Sequence, residues 1–234
     1  DSSGICILNQ VSSDIDIFKG PMPARQLFKS KDVINSISRG FTNVCKSSYA
    51  FGHARLVTNG TQLNINNNQP VHTNNIIGVH NGIVVNVDEL WAQNKTLKRK
   101  FDIDTEVIFS LIENEITKKG SSLESAVSNT IKRINGTAAI AFINTKLNRF
   151  VLATNNGSLY TIKSQNDFLI FASERAFLDE LSRKFNLSNM KIDSVKPGSG
   201  VSINLNDLLS SSFLFEDKND TLQKVRSEVN PKVN

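Results

Sequence analysis

The chain lacks several features that would assign a protein to a class at once. Its 234 residues include no apolar run approaching the ~18 residues of a membrane-spanning helix, so we expect no membrane partner. The first residues show no basic segment followed by an apolar one, so no secretory signal is visible. With only two cysteines and no CxxC pair, we expect reduced thiols and a cytoplasmic location.

Metal sites and nucleic-acid surfaces also lack the patterns that would predict them. The three histidines are dispersed, and neither they nor the cysteines have the spacing of a zinc site, so no metal and no cofactor are predicted. A net charge of +5 would suit a nucleic-acid partner. However, the basic residues are scattered, and their one dense cluster, KTLKRK at 95–100, contains no aromatic residue. We therefore predict no nucleic-acid binding.

The chain does contain an order of strands and helices that is typical of an α+β protein. Its composition, 39% hydrophobic and 21% charged, is ordinary for a globular domain. Strands predicted at 3–10 and 48–58 precede helices predicted from 104 and at 121–134, and four short strands follow between 137 and 173. This order predicts two antiparallel sheets packed between layers of helices.

Two polar segments bear on loops and domain limits. Residues 11–25 contain Gly20-Pro21 and Pro23, so they are predicted as a loop. From residue 217 the sequence is charged and shows no hydrophobic periodicity, which predicts a polar tail or linker. We therefore predict one domain over residues 1–216 and a tail over residues 217–234.

Three polar groups stand beside apolar runs and suggest a binding site. Arg55 ends the cluster Gly-His-Ala-Arg, and Asn81-Gly82 is the pair favoured in two-residue hairpin turns, so residues 76–85 are predicted as two strands joined there. Asp104 precedes an apolar helical face and is predicted as the helix N-cap. An arginine pairs with a carboxylate, an aspartate with an ammonium group, and an Asn-Gly pair can donate to a developing oxyanion. Together they would suit a small zwitterion held next to a carbonyl.

Five stretches of the sequence, taken in their order along the chain, form a recognisable set. They are GHARLVTNG, NNNQPV, VHNGIVVN, DIDTEVI and FASERAFLDEL. In this order they resemble the glutaminase domain of class II glutamine amidotransferases, which are N-terminal-nucleophile hydrolases and include the glutaminase domains of glucosamine-6-phosphate synthase and asparagine synthetase. The resemblance implies a four-layer α-β-β-α sandwich. It also implies that the domain binds L-glutamine, hydrolyses its side-chain amide, and delivers ammonia to an acceptor in a synthase domain or subunit.

The resemblance also assigns roles to individual residues. It implies an oxyanion hole formed by Asn81 and Gly82, and glutamine contacts from Arg55, Thr58, Asn59 and Asp104. Asn59 departs from the family, whose members have a histidine after the threonine.

Ser3 occupies the position of the family nucleophile when the chain is aligned on Gly4-Ile5. The family has an N-terminal cysteine there, and its free α-amine, with a pKa of ~8, serves as the general base. The amide nitrogen of Ser3 cannot do this, and a serine hydroxyl is harder to deprotonate than a thiol with a pKa of ~8.5. The chain as written is therefore expected to be inactive. Cys6, the other candidate nucleophile, lies in mid-strand and is predicted to be a structural thiol.

Three explanations of Ser3 stay open at this point. Ser3 is an engineered replacement of cysteine with residues left in front of it, or it belongs to a natural inactive relative that still binds glutamine. In the third explanation, removal of Asp1-Ser2 exposes Ser3 as an N-terminal nucleophile. The alternative function, from a different class, is a non-catalytic glutamine-binding or partner-binding module on the same fold.

Overall fold

A computed structural model describes residues 2–9, 14–41, 48–55, 64–164, 167–187 and 189–215. Its strands are β1 (Ser2–Asn9), β2 (Asp14–Gly20), β3 (Ser48–Arg55), β4 (Val71–His72), β5 (Ile76–Val84), β6 (Gly136–Asn144), β7 (Arg149–Thr154), β8 (Tyr160–Lys163), β9 (Leu169–Ala172), β10 (Ile192–Ser194), β11 (Ser199–Asn204) and β12 (Ser210–Leu214). Its α-helices are α1 (Ala24–Leu27), α2 (Lys31–Phe41), α3 (Val87–Gln93), α4 (Asp104–Lys119), α5 (Leu123–Ile131) and α6 (Arg175–Lys184). A 3-10 helix spans Ile65–Asn67.

The first sheet is antiparallel and has the order β2-β1-β3. Because side chains alternate along a strand, β1 presents Ile5 and Ile7 to one face and Cys6 to the other. Ile5 and Ile7 pack against Leu27 of α1 and Val33 of α2. These contacts form the outer helical layer over this sheet.

The second sheet has six strands in the order β12-β11-β7-β6-β5-β4, and it is antiparallel throughout. Helices α4 and α5 cover one of its faces. Val107, Ile108, Leu111 and Ile112 recur at helical spacing along α4 and are almost completely buried. They pack with residues of β5, β6 and β7 in the largest hydrophobic cluster.

The other face of the six-stranded sheet packs against the first sheet and a small third sheet. This third sheet has the order β10-β8-β9 and is covered by α6. The cluster between the layers joins Cys6 and Phe51 to Val79 and Leu152, with Phe171 of β9 at its edge. The layers therefore run helix, sheet, sheet, helix, and the predicted α-β-β-α sandwich is confirmed.

Three local predictions are wrong. Residues 14–20, predicted as part of a loop, form β2, whose Ile15 and Ile17 pack at the edge of the inter-sheet cluster. Asn81-Gly82 is no hairpin turn, because β5 continues through it and pairs with β6 as far as Val84. Asp104 is the first residue of α4 rather than its N-cap, which is Ile103.

The predicted domain limit at residue 216 and the tail at 217–234 lie outside the described residues and stay predictions. Among the residues that are described, no helix is long and apolar enough to cross a membrane.

Candidate functional site

The strand β5 carries polar residues on both of its faces. Asn81 is exposed and pairs with Ala139, whereas His80 beside it is only 2% exposed and lies on the opposite face. Gly82 has a φ of +150°, and a Cβ built there would stand 2.1 Å from the carbonyl oxygen of Thr137. Only glycine allows β6 to approach so closely at this point. The two residues therefore meet different requirements. Asn81 places a polar side chain on an exposed face, and Gly82 leaves room for the close contact with the β6 backbone.

A cavity of about 930 Å³ opens between the facing strands β3 and β9. Val79, Ala141 and Phe150 contribute apolar walls, and the amide of Asn81 and the ring of His53 contribute polar ones. The aromatic ring of Phe150 lies between the two strands. Its centroid is 5.8 Å from that of Phe51 on β3 and 5.4 Å from that of Phe171 on β9. The cavity thus combines apolar walls with polar groups on β3 and β5, and Asp167, Ser173 and Glu174 line it on the β9 side.

His80 connects β5 to the first turn of α4. Its Nδ1 lies 3.8 Å from Oδ1 of Asp104 and 3.4 Å from Oγ1 of Thr105. The other carboxylate oxygen of Asp104, Oδ2, accepts a hydrogen bond from the Val84 amide at 3.1 Å. Burial raises the pKa of Asp104, but the hydrogen bond and charge of His80, with the Val84 and Thr105 amides, outweigh it and hold the pKa below its usual range. Asp104 is therefore a carboxylate at neutral pH.

His53 and Arg55 lie at the end of β3 that is nearest to this carboxylate. Burial, and then the charges of His80 and Arg55, lower the pKa of His53 to about 4, while Asp104 acts in the opposite direction. His53 and Arg55 are two residues apart on β3 and so share one of its faces, while His80 and Asp104 lie 3.8 Å apart between β5 and α4. Arg55 Nη1 donates to the Asn67 carbonyl at 3.2 Å.

Ser3 lies on the strand next to this group but faces away from the cavity. In the β1–β3 ladder it stands opposite Ala54, between His53 and Arg55. Its side chain shares the face of Ile5 and Ile7, is only 3% exposed, and its Oγ donates to the Met22 carbonyl at 2.7 Å. The structure thus brings Ser3 near the other predicted residues along the backbone without directing its hydroxyl toward Asn81.

The other candidates of the sequence are Cys6, Thr58 and Asn59. Cys6 is fully buried, and burial followed by the charge of Asp16 raises its pKa to about 12, so the predicted structural thiol is confirmed. Thr58 and Asn59 lie outside the described residues. Within the described ranges, no three His, Cys, Asp or Glu side chains are arranged to hold a metal ion.

Two residues that the sequence analysis did not single out also belong to this end of the molecule. Gln69 is 5% exposed and its side-chain amide makes two hydrogen bonds to the backbone of His80. Lys19 Nζ donates to the carbonyls of Asn68 and Pro70, and burial lowers its pKa to about 8. The sequence around Gln69 and Pro70 did not predict these hydrogen bonds, because their partners, His80 and Lys19, belong to strands that are distant in sequence.

Antiparallel sheets between two helical layers, with Asn81-Gly82 on one strand and Asp104 at a helix start, agree with the class that the resemblance implied, the amidotransferases of the N-terminal-nucleophile type. Residues 53–180 match the family model of the glutamine amidotransferase domain, which covers more than half of the chain, and the chain belongs to this family. The resemblance to class II glutamine amidotransferases is confirmed. The matched residues include Arg55, Asn81, Gly82 and Asp104, but not Ser3.

The chain is similar in sequence to glutamine–fructose-6-phosphate aminotransferases. It is 29% identical to the enzyme of Buchnera aphidicola subsp. Baizongia pistaciae over 191 residues, which cover 79% of this chain and 29% of that protein. The enzyme of Sulfolobus acidocaldarius is 33% identical over 141 residues, 58% of this chain and 24% of its own. The chain therefore spans less than a third of the length of these curated relatives.

Solved structures show the same fold. The glutamine phosphoribosylpyrophosphate amidotransferase of B. subtilis superposes with a TM-score of 0.68 and 21% identity, covering 92% of this chain and 43% of that one. A glutamine aminotransferase class-II domain protein from Silicibacter pomeroyi superposes with a TM-score of 0.56 and 14% identity, covering 93% and 100%.

Proposed function

We propose that this chain is the glutamine-binding domain of an amidotransferase and holds L-glutamine with its side-chain amide beside Asn81 and Gly82. One observation carries the proposal. Asn81 presents an exposed amide to the cavity from the middle of a paired strand, between the buried residues Val79 and Val84. Packing against an apolar wall does not call for an amide. A carbonyl whose oxygen gains negative charge does.

The other roles follow from charge. The guanidinium of Arg55 suits the α-carboxylate of glutamine, because its planar donors match two carboxylate oxygens. Asp104, a carboxylate at neutral pH, suits the α-ammonium group. Thr58 and Asn59 are proposed as further contacts on the resemblance alone. The relatives described above are named glutamine–fructose-6-phosphate aminotransferases. By likeness, we propose that released ammonia passes to an acceptor site in a synthase domain or subunit, and that the protein acts in the cytoplasm.

In the chain as given, with Ser3 preceded by Asp1-Ser2, the position of Ser3 favours glutamine binding without turnover. Its hydroxyl is buried, donates to the Met22 carbonyl and faces the helical layer. Its nitrogen belongs to the Ser2–Ser3 peptide and cannot act as a base. For this form of the chain, the buried hydroxyl and the peptide nitrogen favour the second candidate function, a non-catalytic glutamine-binding module. A form with an N-terminal cysteine at position 3 is proposed to hydrolyse glutamine, which requires its side chain to turn from the helical layer toward Asn81.

Titration calorimetry on the full chain tests the binding proposal. L-Glutamine should bind and D-glutamine should not, while L-glutamate should bind more weakly because its second carboxylate meets the site that favours a neutral amide. Arg55→Lys keeps the charge but loses the planar pair of donors, and should weaken binding about tenfold. Arg99→Lys is the matched control, because Arg99 forms an ion pair with Asp88 instead. The absence of L-glutamine heat at millimolar concentration would overturn the proposal.

A second experiment tests catalysis. Removal of Asp1-Ser2 combined with Ser3→Cys should give ammonia release from L-glutamine. In that form, Asn81→Asp replaces a donor with a charged acceptor and should lower kcat by ~10²–10³. The melting temperature should hold, because the side chain of Asn81 is exposed and the two residues have similar size. Retained turnover in Asn81→Asp would remove the oxyanion assignment. Ammonia release no greater than that of the parent chain would leave only the binding module.

A further inference from the structure

The side-chain amide of Gln69 binds the backbone of His80 at two points. Its Oε1 accepts from the His80 N–H at 2.6 Å, and its Nε2 donates to the His80 carbonyl at 2.9 Å. In an antiparallel ladder, a residue of the neighbouring strand makes this same pair of bonds with its backbone. The short ladder between β4 and β5 pairs Val71 with Gly78, and continuing its register would place Gln69 opposite His80. Gln69 therefore extends the edge of β5 with its side chain.

The backbone of Gln69 contacts the other layer of the sandwich. A Cβ built on Gly4 of β1 would stand 2.1 Å from the Gln69 carbonyl oxygen, so the backbones of these two segments lie in direct contact. Lys19 of β2 holds the carbonyls on either side, those of Asn68 at 2.9 Å and Pro70 at 3.0 Å. The backbone of this residue thus rests on the strand that carries Ser3.

We infer that Gln69 is a positioning residue that fixes the separation between the strand of Ser3 and the amide groups of Asn81 and Gly82. Its backbone is held at Gly4, next to Ser3, and its side chain is held at His80, next to Asn81. Both hydrogen bonds are buried, so no water competes with them. A displacement of about 1 Å between reacting groups can cost on the order of 10² in rate, so a link of this kind matters for catalysis. The inference rests on the proposed function only for what Asn81 and Gly82 do.

The first test uses the full chain labelled with ¹⁵N. Gln69→Met keeps the length of the side chain but removes both its donor and its acceptor. It should shift the resonances of the Asn81 side-chain amide and the Gly82 N–H, and should speed hydrogen exchange at the His80 amide by about tenfold or more. The matched control is Asn86→Leu. The amide of Asn86 also makes two backbone bonds, to Arg133 O and Asn135 N, both at 2.9 Å, but beyond the end of β5.

The control should lower the melting temperature without moving the Asn81 and Gly82 signals. Gln69→Glu provides a second variant, because a protonated carboxyl group can again accept from the His80 N–H and donate to its carbonyl. Its Gly82 signal should therefore be displaced at neutral pH and return toward the parent position at acid pH. A merely structural role would not produce this recovery.

Kinetics complete the test in the form with Cys at position 3. Gln69→Met should lower kcat by about tenfold or more, with KM within about threefold, because Arg55 and Asp104 keep their places. Unmoved Asn81 and Gly82 resonances in Gln69→Met, or equal movement in Asn86→Leu, would overturn the inference. If the form with Cys at position 3 showed no turnover at all, the proposed catalysis would fail, while the resonances would still decide whether Gln69 sets the strand position.

Discussion

His53 should make the folded protein sensitive to mild acid. The pKa of its imidazole falls from 6.5 to about 4 on folding, chiefly because the ring is desolvated. A base with a lowered pKa binds fewer protons when folded than when unfolded, so stability falls as the pH drops below 6.5 and levels off near pH 4. Above pH 6.5 both states are neutral, and the group has no effect.

The size of this loss follows from the two pKa values. At about 1.4 kcal/mol per pKa unit, the difference between 6.5 and about 4 gives a ceiling of ~3 kcal/mol. The ring is only half-buried and lines a cavity, so solvent screening reduces the expected loss to about 2 kcal/mol. His53→Gln should remove this dependence while keeping a polar side chain on β3.

Urea unfolding at intervals from pH 4 to pH 8 measures the effect. The single tryptophan, Trp91, packs against the main hydrophobic cluster and reports unfolding by fluorescence. The control is His72→Gln, since the pKa of His72 is also lowered, by burial and then by Lys19 and Lys100, but less strongly. It should flatten the profile by a smaller amount. Equal slopes between pH 4 and pH 6.5 in the parent and His53→Gln would refute the reasoning.

Two other predictions concern the backbone and the alkaline range. Gly82→Ala should destabilise the fold by more than ~3 kcal/mol in urea unfolding, because its Cβ would overlap a β6 carbonyl, whereas Gly120→Ala, with a φ of +69° and open space around it, should cost only about 1 kcal/mol. Similar losses would contradict the close contact at Gly82. Because the pKa of Lys19 is lowered to about 8, stability should rise by about 0.5–1 kcal/mol between pH 8 and pH 9, and Lys19→Met should abolish that rise. An unchanged slope in Lys19→Met would show that this amine stays charged.

The sequence was sufficient for the layers and for the residues of the long helices. The apolar spacing along α4 predicted a helix packed on a sheet, and the structure buries Val107, Leu111 and Ile112. It was not sufficient for β2, because Asp14, Asp16 and Gly20 have low strand propensity. That strand exists because β1 offers a full row of partners from Ser3 to Asn9, which only the folded arrangement reveals.

The candidate site shows a similar limit. Asn81-Gly82 is a strong local signal for a turn, yet pairing with β6 carries the strand straight through it. Asp104 was expected to be the N-cap of α4, but it is the first residue of the helix, and its carboxylate also accepts a hydrogen bond from the Val84 amide of another element. The amide of Gln69 could not be predicted at all, since His80 is eleven residues away in sequence. In each example, a partner from another element decides what the residue does.

Strand β5 places two different chemistries on adjacent residues, His80 toward α4 and Asn81 toward the cavity. The face of each is decided by whether its position along the strand is odd or even. Insertion or deletion of one residue between Ile76 and His80 would exchange the two faces at once, turning the imidazole into the cavity and the amide against the helix. In a lineage of such proteins, we therefore expect the length of this strand to be invariant while its apolar residues interchange. Changes in length should collect in the turn at 73–75, where they leave the strand's register intact.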